Sequence, residues 1–141
     1  MIMKRFYYIF ILTLLFATGC SKDGNENIPL VNVNLFLNIN NPEFIDLNAP
    51  GGWTYYIGGS RGLIVYRETN SSFKVYDRHC TFDVTNSCAL VSVEVSNITA
   101  KDDCCGSQFL ITDGSVTKNP ATLPLKQYQT TFDGSVLHVF N

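Results

Sequence analysis

The chain has 141 residues, 45% of them hydrophobic, 16% charged and 13% aromatic, with a formal charge of -2. That balance excludes a disordered chain, a collagen-like repeat and an array of many domains. No run of Lys or Arg is long enough to track phosphates, so nucleic acid is not an expected partner. Five cysteines stand against only two histidines, His79 and His138, so chemistry that needs several imidazoles lacks material.

Met1 to Gly19 begins with Lys4-Arg5, continues through the apolar run Phe6 to Phe16, and ends on Ala17-Thr18-Gly19 directly before Cys20. A basic start, a short apolar stretch and small residues at the cut describe an export signal. The apolar run is about half of what a bilayer span requires. A cysteine directly after small residues resembles the lipobox of bacterial lipoproteins, with Ala17 where Leu is more usual. The resemblance implies residues 1–19 as a cleaved signal, Cys20 as the lipidated residue, and a lipid membrane as a partner through its acyl chains. It also implies a place in the cell envelope, on the periplasmic or outer-membrane face, with an envelope protein as a further partner. Residues 20–30 read as a tether and 31–141 as one domain. Outside the cytoplasm thiols pair unless a metal holds them, which leaves Cys80, Cys88, Cys104 and Cys105 to be placed.

After the tether the pattern is all-β. Val31, Val33, Leu35, Leu37 and Ile39 alternate with asparagines, broken only by Phe36, which predicts a half-buried strand. Strand-like runs follow at Trp53 to Ile57, Leu63 to Arg67, Phe73 to Tyr76 and Ala89 to Val95. Asp113-Gly114 and Asp133-Gly134 sit between strand-like flanks and predict hairpins of the type I′ kind, with positive φ at both central residues. No helical period extends over ten residues beyond the signal.

From Tyr76 onward the chain resembles the Rieske iron-sulfur domain. The landmarks are Tyr76-Asp77-Arg78-His79-Cys80 as a first loop and Cys104-Cys105-Gly106-Ser107-Gln108-Phe109 as a second. Asp113-Gly114-Ser115-Val116, Pro120 to Leu125, Tyr128 and Asp133-Gly134 follow in the family's order. The resemblance implies an antiparallel β domain of stacked small sheets with two cluster-binding-type loops. In that family two Cys hold one iron and two His the other. Carried over by position, the first Cys is Cys80, its His partner falls on Phe82, the second Cys on Asp102 and the second His on Cys105. Phe82 and Asp102 are therefore lost ligand positions, and no normal 2Fe-2S ligand set remains.

His79 precedes Cys80 where the family's ligand follows the cysteine by two, so it reads as a partly exposed loop residue. His138, on the last strand, reads as a core-edge imidazole with a hydrogen-bond partner. The resemblance also implies a Cys88 to Cys104 disulfide, and Cys80 and Cys105 are candidates for a second one across the missing cluster. The competing reading is a metal held by Cys80, Cys88, Asp102 and Cys105, because Asp102-x-x-Cys105-Gly106 has knuckle spacing and zinc accepts a carboxylate. A third is an altered-ligand 2Fe-2S cluster passing electrons to an oxidoreductase. The preferred expectation is no cofactor and no catalysis by the chain on its own. Asp77, Asp83, Asp102 and Asp103 read as solvated loop caps, and Ser107 as a hydrogen-bond donor in its loop.

Overall fold

A computed structural model describes residues 28–141. Met1 to Asn27, with the export signal, Cys20 and most of the tether, lie outside the described residues. Ile28, assigned to the tether, is buried, so the packed part begins before Val31. Among the described residues no helix is long and apolar enough to cross a membrane.

Among the described residues ten strands form two antiparallel sheets. The larger has the order β1 (Asn34–Asn38), β10 (Val136–Phe140), β9 (Gln127–Phe132), β4 (Phe73–Asp77), β3 (Leu63–Arg67) and β2 (Trp53–Tyr56). The smaller has the order β5 (Val91–Val93), β6 (Thr99–Asp102), β7 (Gln108–Leu110) and β8 (Val116–Lys118). A short 3-10 helix at Pro42–Leu47, too brief to leave a helical period in the sequence, buries Phe44 and Leu47.

The alternation of side chains along β3 and β4 builds two cores on the two faces of the larger sheet. Leu63, Val65 and Val75 join Leu37, Phe44, Tyr128, Leu137 and Val139 in one cluster. Ile64 and Tyr76 point the other way and pack with Cys80, Val91, Ala100, Phe109, Ile111 and Leu125. A strand covered on both faces loses the polar half of its alternation. That is why Leu63-Ile64-Val65 is continuously apolar.

Four expectations shift. The first strand contracts to Asn34–Asn38, and Phe36 breaks its alternation because it faces outward, stacked 4.2 Å from the His138 ring. His138 is also hydrogen-bonded to Asn34 Oδ1 at 2.8 Å. The expected strand over Ala89 to Val95 contracts to β5, and β6 appears where none was read. Both Asp-Gly turns reverse the chain, but only the glycines take positive φ, 76° at Gly114 and 102° at Gly134. Each aspartate instead accepts from the backbone N–H two residues on, at 2.9 Å from Ser115 and 2.8 Å from Ser135, an Asx arrangement rather than type I′. At Gly114 a Cβ would also stand 2.8 Å from the Tyr76 ring, so the position needs glycine twice over.

Candidate functional site

Two loops and one crossing segment make the site. The first loop leaves β4 at Arg78 and returns into β5. The Cys80 N–H donates to the Ala89 carbonyl at 3.1 Å and the Val91 N–H to Arg78 at 2.8 Å, which close its base. Its tip is held from outside by Arg61, whose guanidinium donates to the carbonyls of Asn86 at 2.6 Å and Ser87 at 2.7 Å. The second loop joins β6 to β7 and is closed by Asp102 N–H to the Ser107 carbonyl at 3.0 Å and Gly106 N–H to the Asp102 carbonyl at 2.7 Å. Gly106, at φ 82°, supplies the left-handed residue this turn needs. The Pro120 to Leu125 segment crosses both loops: Thr81 Oγ1 donates to the Leu123 carbonyl at 2.7 Å and Ala121 N–H to Ser107 Oγ at 2.9 Å. Ser107 Oγ thus accepts from Ala121 while its hydroxyl stays beside Cys105 Sγ.

Behind the first loop, Asp77 is fully buried rather than a solvated cap. Its carboxylate accepts from Ser60 N–H at 2.6 Å, His79 N–H at 2.9 Å and the Tyr128 hydroxyl at 2.8 Å. Burial pushes the Tyr128 hydroxyl well above the usual phenol range, and the bond to Asp77 adds to it. Gly59 lies against this cluster, where a Cβ would meet Asp77 Oδ2 at 2.5 Å.

His79 is 2% exposed, so the expectation of a partly exposed loop residue is corrected. Its Nε2–H donates to the Val84 carbonyl, since a carbonyl can only accept, which leaves Nδ1 to accept from Ser60 Oγ, both at 2.8 Å. Burial holds its pKa below the ordinary imidazole value. Both ring nitrogens are engaged, so His79 is not available as a ligand.

The structure joins Cys88 and Cys104 in a disulfide that ties the two loops together across 16 positions of sequence. That sulfur of Cys88 is therefore withdrawn from the four-residue metal set. Cys80 and Cys105 are free, with their Sγ atoms 3.8 Å apart, in contact but not bonded. Asp102 completes the group: one donor atom from each of Cys80, Asp102 and Cys105 lies within 4.8 Å of the others. Cys80 and Asp102 are fully buried and Cys105 partly so. Asp103, by contrast, is exposed and paired with Lys101 at 2.8 Å.

Asp102 sits at the end of β6 on the strand's core-facing alternation, after Ala100. Its Oδ1 accepts from Cys104 N–H at 2.7 Å, and its Oδ2 is buried without a hydrogen-bond partner. The Ser107 N–H and hydroxyl both lie against Cys105 Sγ, at 3.4 and 3.1 Å. Burial pushes the Cys80 thiol well above its usual range, and the neighbouring Asp102 carboxylate adds to it. Cys105 Sγ receives the backbone N–H of the residue two further on, Ser107.

Phe82 is 41% exposed at the loop tip and offers no donor atom. A Rieske cluster needs four ligands on two irons, and three donors converge here. The two sulfurs that correspond to ligands of different irons stand in contact, where a cluster would hold them apart. The residues present do not fit a 2Fe-2S cluster.

No protein-family model matches the chain, and no curated protein does. Solved structures do. The cyanobacterial plasma membrane Rieske protein PetC3 from Synechocystis PCC 6803 is 26% identical, with 79% of this chain and 100% of that chain covered at a TM-score of 0.54. The ferredoxin of carbazole 1,9a-dioxygenase from Nocardioides aromaticivorans is 17% identical over 79% of this chain and 98% of that one, at a TM-score of 0.48. The E. coli protein NirD is 11% identical over 78% and 97%, at 0.47.

Proposed function

We propose that the described domain, a Rieske-like β domain, serves, anchored to a membrane through an acylated Cys20, as an extracytoplasmic binding or structural module that does not carry the family's cluster. The observation behind this reading is the identity and placement of the ligand positions. Phe82 cannot bind iron, Asp102 replaces a cysteine, and Cys80 and Cys105 touch at 3.8 Å. The Cys88–Cys104 disulfide supports an oxidising compartment, since such bonds persist outside the cytoplasm. Nothing in the two loops pairs a nucleophile with a base, and His79, the imidazole nearest the site, has both nitrogens occupied.

The test is anaerobic purification of the protein from its native membrane, followed by iron and acid-labile sulfide analysis, an absorption spectrum, and mass analysis of the N-terminal peptide. The expected result is no visible cluster absorption, no iron in a two-per-chain ratio, and an acylated Cys20. Two irons with two labile sulfides per chain would overturn the cluster-free reading in favour of an electron carrier with altered ligands. An unmodified N-terminus would overturn the anchor.

A further inference from the structure

Resting on the reading that no cluster is present, we propose that Cys80, Asp102 and Cys105 form a mononuclear site for a zinc-like divalent ion, with its fourth position open to solvent. The separation of the sulfurs is the first argument. Two thiolates on one tetrahedral ion, each about 2.3 Å from it, lie about 3.8 Å apart, and Cys80 Sγ and Cys105 Sγ are 3.8 Å apart. A contact between two thiols would give a similar spacing, so the distance alone does not decide.

Asp102 does. A buried carboxylate oxygen without a partner costs several kcal/mol, and native structures keep such atoms where something else meets them. Asp102 is fully buried, its Oδ1 is fixed by the Cys104 N–H and its Oδ2 is left unpartnered, and one oxygen of this carboxylate lies within 4.8 Å of both sulfurs. A disulfide between Cys80 and Cys105 would leave the buried carboxylate without a counter-charge. A cation between the three donors supplies one. The sulfur-to-oxygen edges, at most 4.8 Å here, need only close to about 3.6 Å on an ion of zinc's bond lengths.

The surroundings suit thiolates held by a cation. Ser107 N–H and hydroxyl lie against Cys105 Sγ, so that sulfur has a donor to stabilise its negative charge once the proton leaves. Outer hydrogen bonds of this kind orient metal ligands and tune them. A cavity of about 210 Å³ lined by Phe82, Asn86, Ala89 and Pro120 reaches Asp102 and Cys105, which leaves room for a water in the fourth position. Binding proceeds with each thiol giving its proton to solvent. One ion enters, two protons leave, and no oxidant or reductant is needed.

The test uses the chain acylated at Cys20, kept anaerobic, with Cys88–Cys104 intact and the two remaining thiols, Cys80 and Cys105, verified as free. Co²⁺ is titrated first, because thiolate charge-transfer bands and tetrahedral ligand-field bands report on its ligands, and Zn²⁺ is then added. Expected are one Co²⁺ per chain, about two protons released to an indicator dye, and displacement by one equivalent of Zn²⁺. Asp102→Asn should weaken Co²⁺ binding at least about tenfold while keeping the charge-transfer band. Cys105→Ser, at a half-buried position that tolerates the change, should remove roughly half the band and one of the protons. Thermal unfolding of each variant checks that it is folded, and for a variant that is not, Co²⁺ titration of the unaltered chain with its proton count carries the test. No stoichiometric uptake, uptake with octahedral bands, or affinity unchanged in Asp102→Asn would each overturn the site, as would a Cys80–Cys105 disulfide in anaerobically isolated protein. Failure here with no iron present leaves the cluster-free reading standing, whereas two irons per chain overturns that reading itself.

Discussion

Replacing Cys88 and Cys104 together by serine isolates what the disulfide contributes. The bond closes 16 positions of chain, and on the chain-entropy model a loop of that length removes about 10 cal/mol/K from the unfolded state, or about 3 kcal/mol at 25 °C. An unfolding entropy of about 2.1 cal/mol/K per residue over residues 28–141 gives roughly 0.24 kcal/mol/K for the domain, so the melting temperature should fall by about 13 °C. Both cysteines are exposed, so the serines leave no cavity and the entropic contribution stands nearly alone. Scanning calorimetry of the two proteins under non-reducing conditions measures the shift, and near-UV circular dichroism verifies that the fold persists at 20 °C. A fall of less than about 4 °C, equivalent to 1 kcal/mol, would refute the reasoning. It would mean that the Arg61 clamp and the Pro120 to Leu125 segment already hold the loops together, even in the unfolded ensemble.

Tyr128→Phe removes the hydroxyl that donates to Asp77 at 2.8 Å; a hydrogen bond to a buried charge predicts a loss of about 1.5–3 kcal/mol in urea unfolding, with the slope unchanged. Gly114→Ala should destabilise by more than the usual Gly-to-Ala difference of about 1 kcal/mol, because the residue needs φ 76° and its Cβ would meet Tyr76 at 2.8 Å; an unchanged urea midpoint would contradict this. Asp133 is held below the ordinary carboxylate range by the Val136 and Ser135 backbone N–H groups. Its folded-state pKa is lowered, so the stability it gives the last hairpin is present above the ordinary carboxylate pKa and lost as pH falls through the folded value. Amide exchange at Ser135 and Val136 should therefore quicken, beyond its intrinsic pH dependence, only below about pH 4, and Asp133→Asn should abolish that step.

The parts of the fold that could be read from the sequence are those where local pattern and burial agree. Leu63–Arg67 was legible at both ends because a strand buried on two faces is apolar throughout and is bounded by Gly62 and Glu68. Strand β6 was not, because Thr99-Ala100-Lys101-Asp102 carries one apolar side chain and places a carboxylate on its core-facing side. The same residue that hides the strand is the one that completes the site, and local rules tend to fail where function intrudes. Asp77 and His79 were misjudged for another reason. Their partners, Ser60, Tyr128 and Val84, come from separate parts of the chain, and nothing in the neighbouring residues signals that both side chains are buried. The Cys88–Cys104 pairing came through the resemblance alone, since four cysteines permit three connectivities.

Asp102 also permits a test that separates a structural residue from one kept for a ligand. In the metal-free chain its Oδ2 is a buried acceptor with nothing to accept from, which opposes folding. Asp102→Asn has the same shape, keeps an oxygen for the Cys104 N–H, removes a buried charge, and puts an amide nitrogen in place of the unpartnered oxygen. Without metal, therefore, the variant should melt no lower than the parent, and by the cost of burying a charge it should melt higher. With excess Zn²⁺ the parent should rise more than the variant, because the ion stabilises the folded state with the logarithm of its affinity, and a tenfold loss of affinity forfeits about 1.4 kcal/mol of that stabilisation, or about 6 °C for this domain. A Zn²⁺-induced rise smaller by about 6 °C in the variant is a signature that loss of a merely structural carboxylate cannot produce. If Asp102→Asn instead lowers the metal-free melting temperature by more than about 4 °C, the carboxylate supports the second loop through Cys104, and its unpartnered oxygen is incidental.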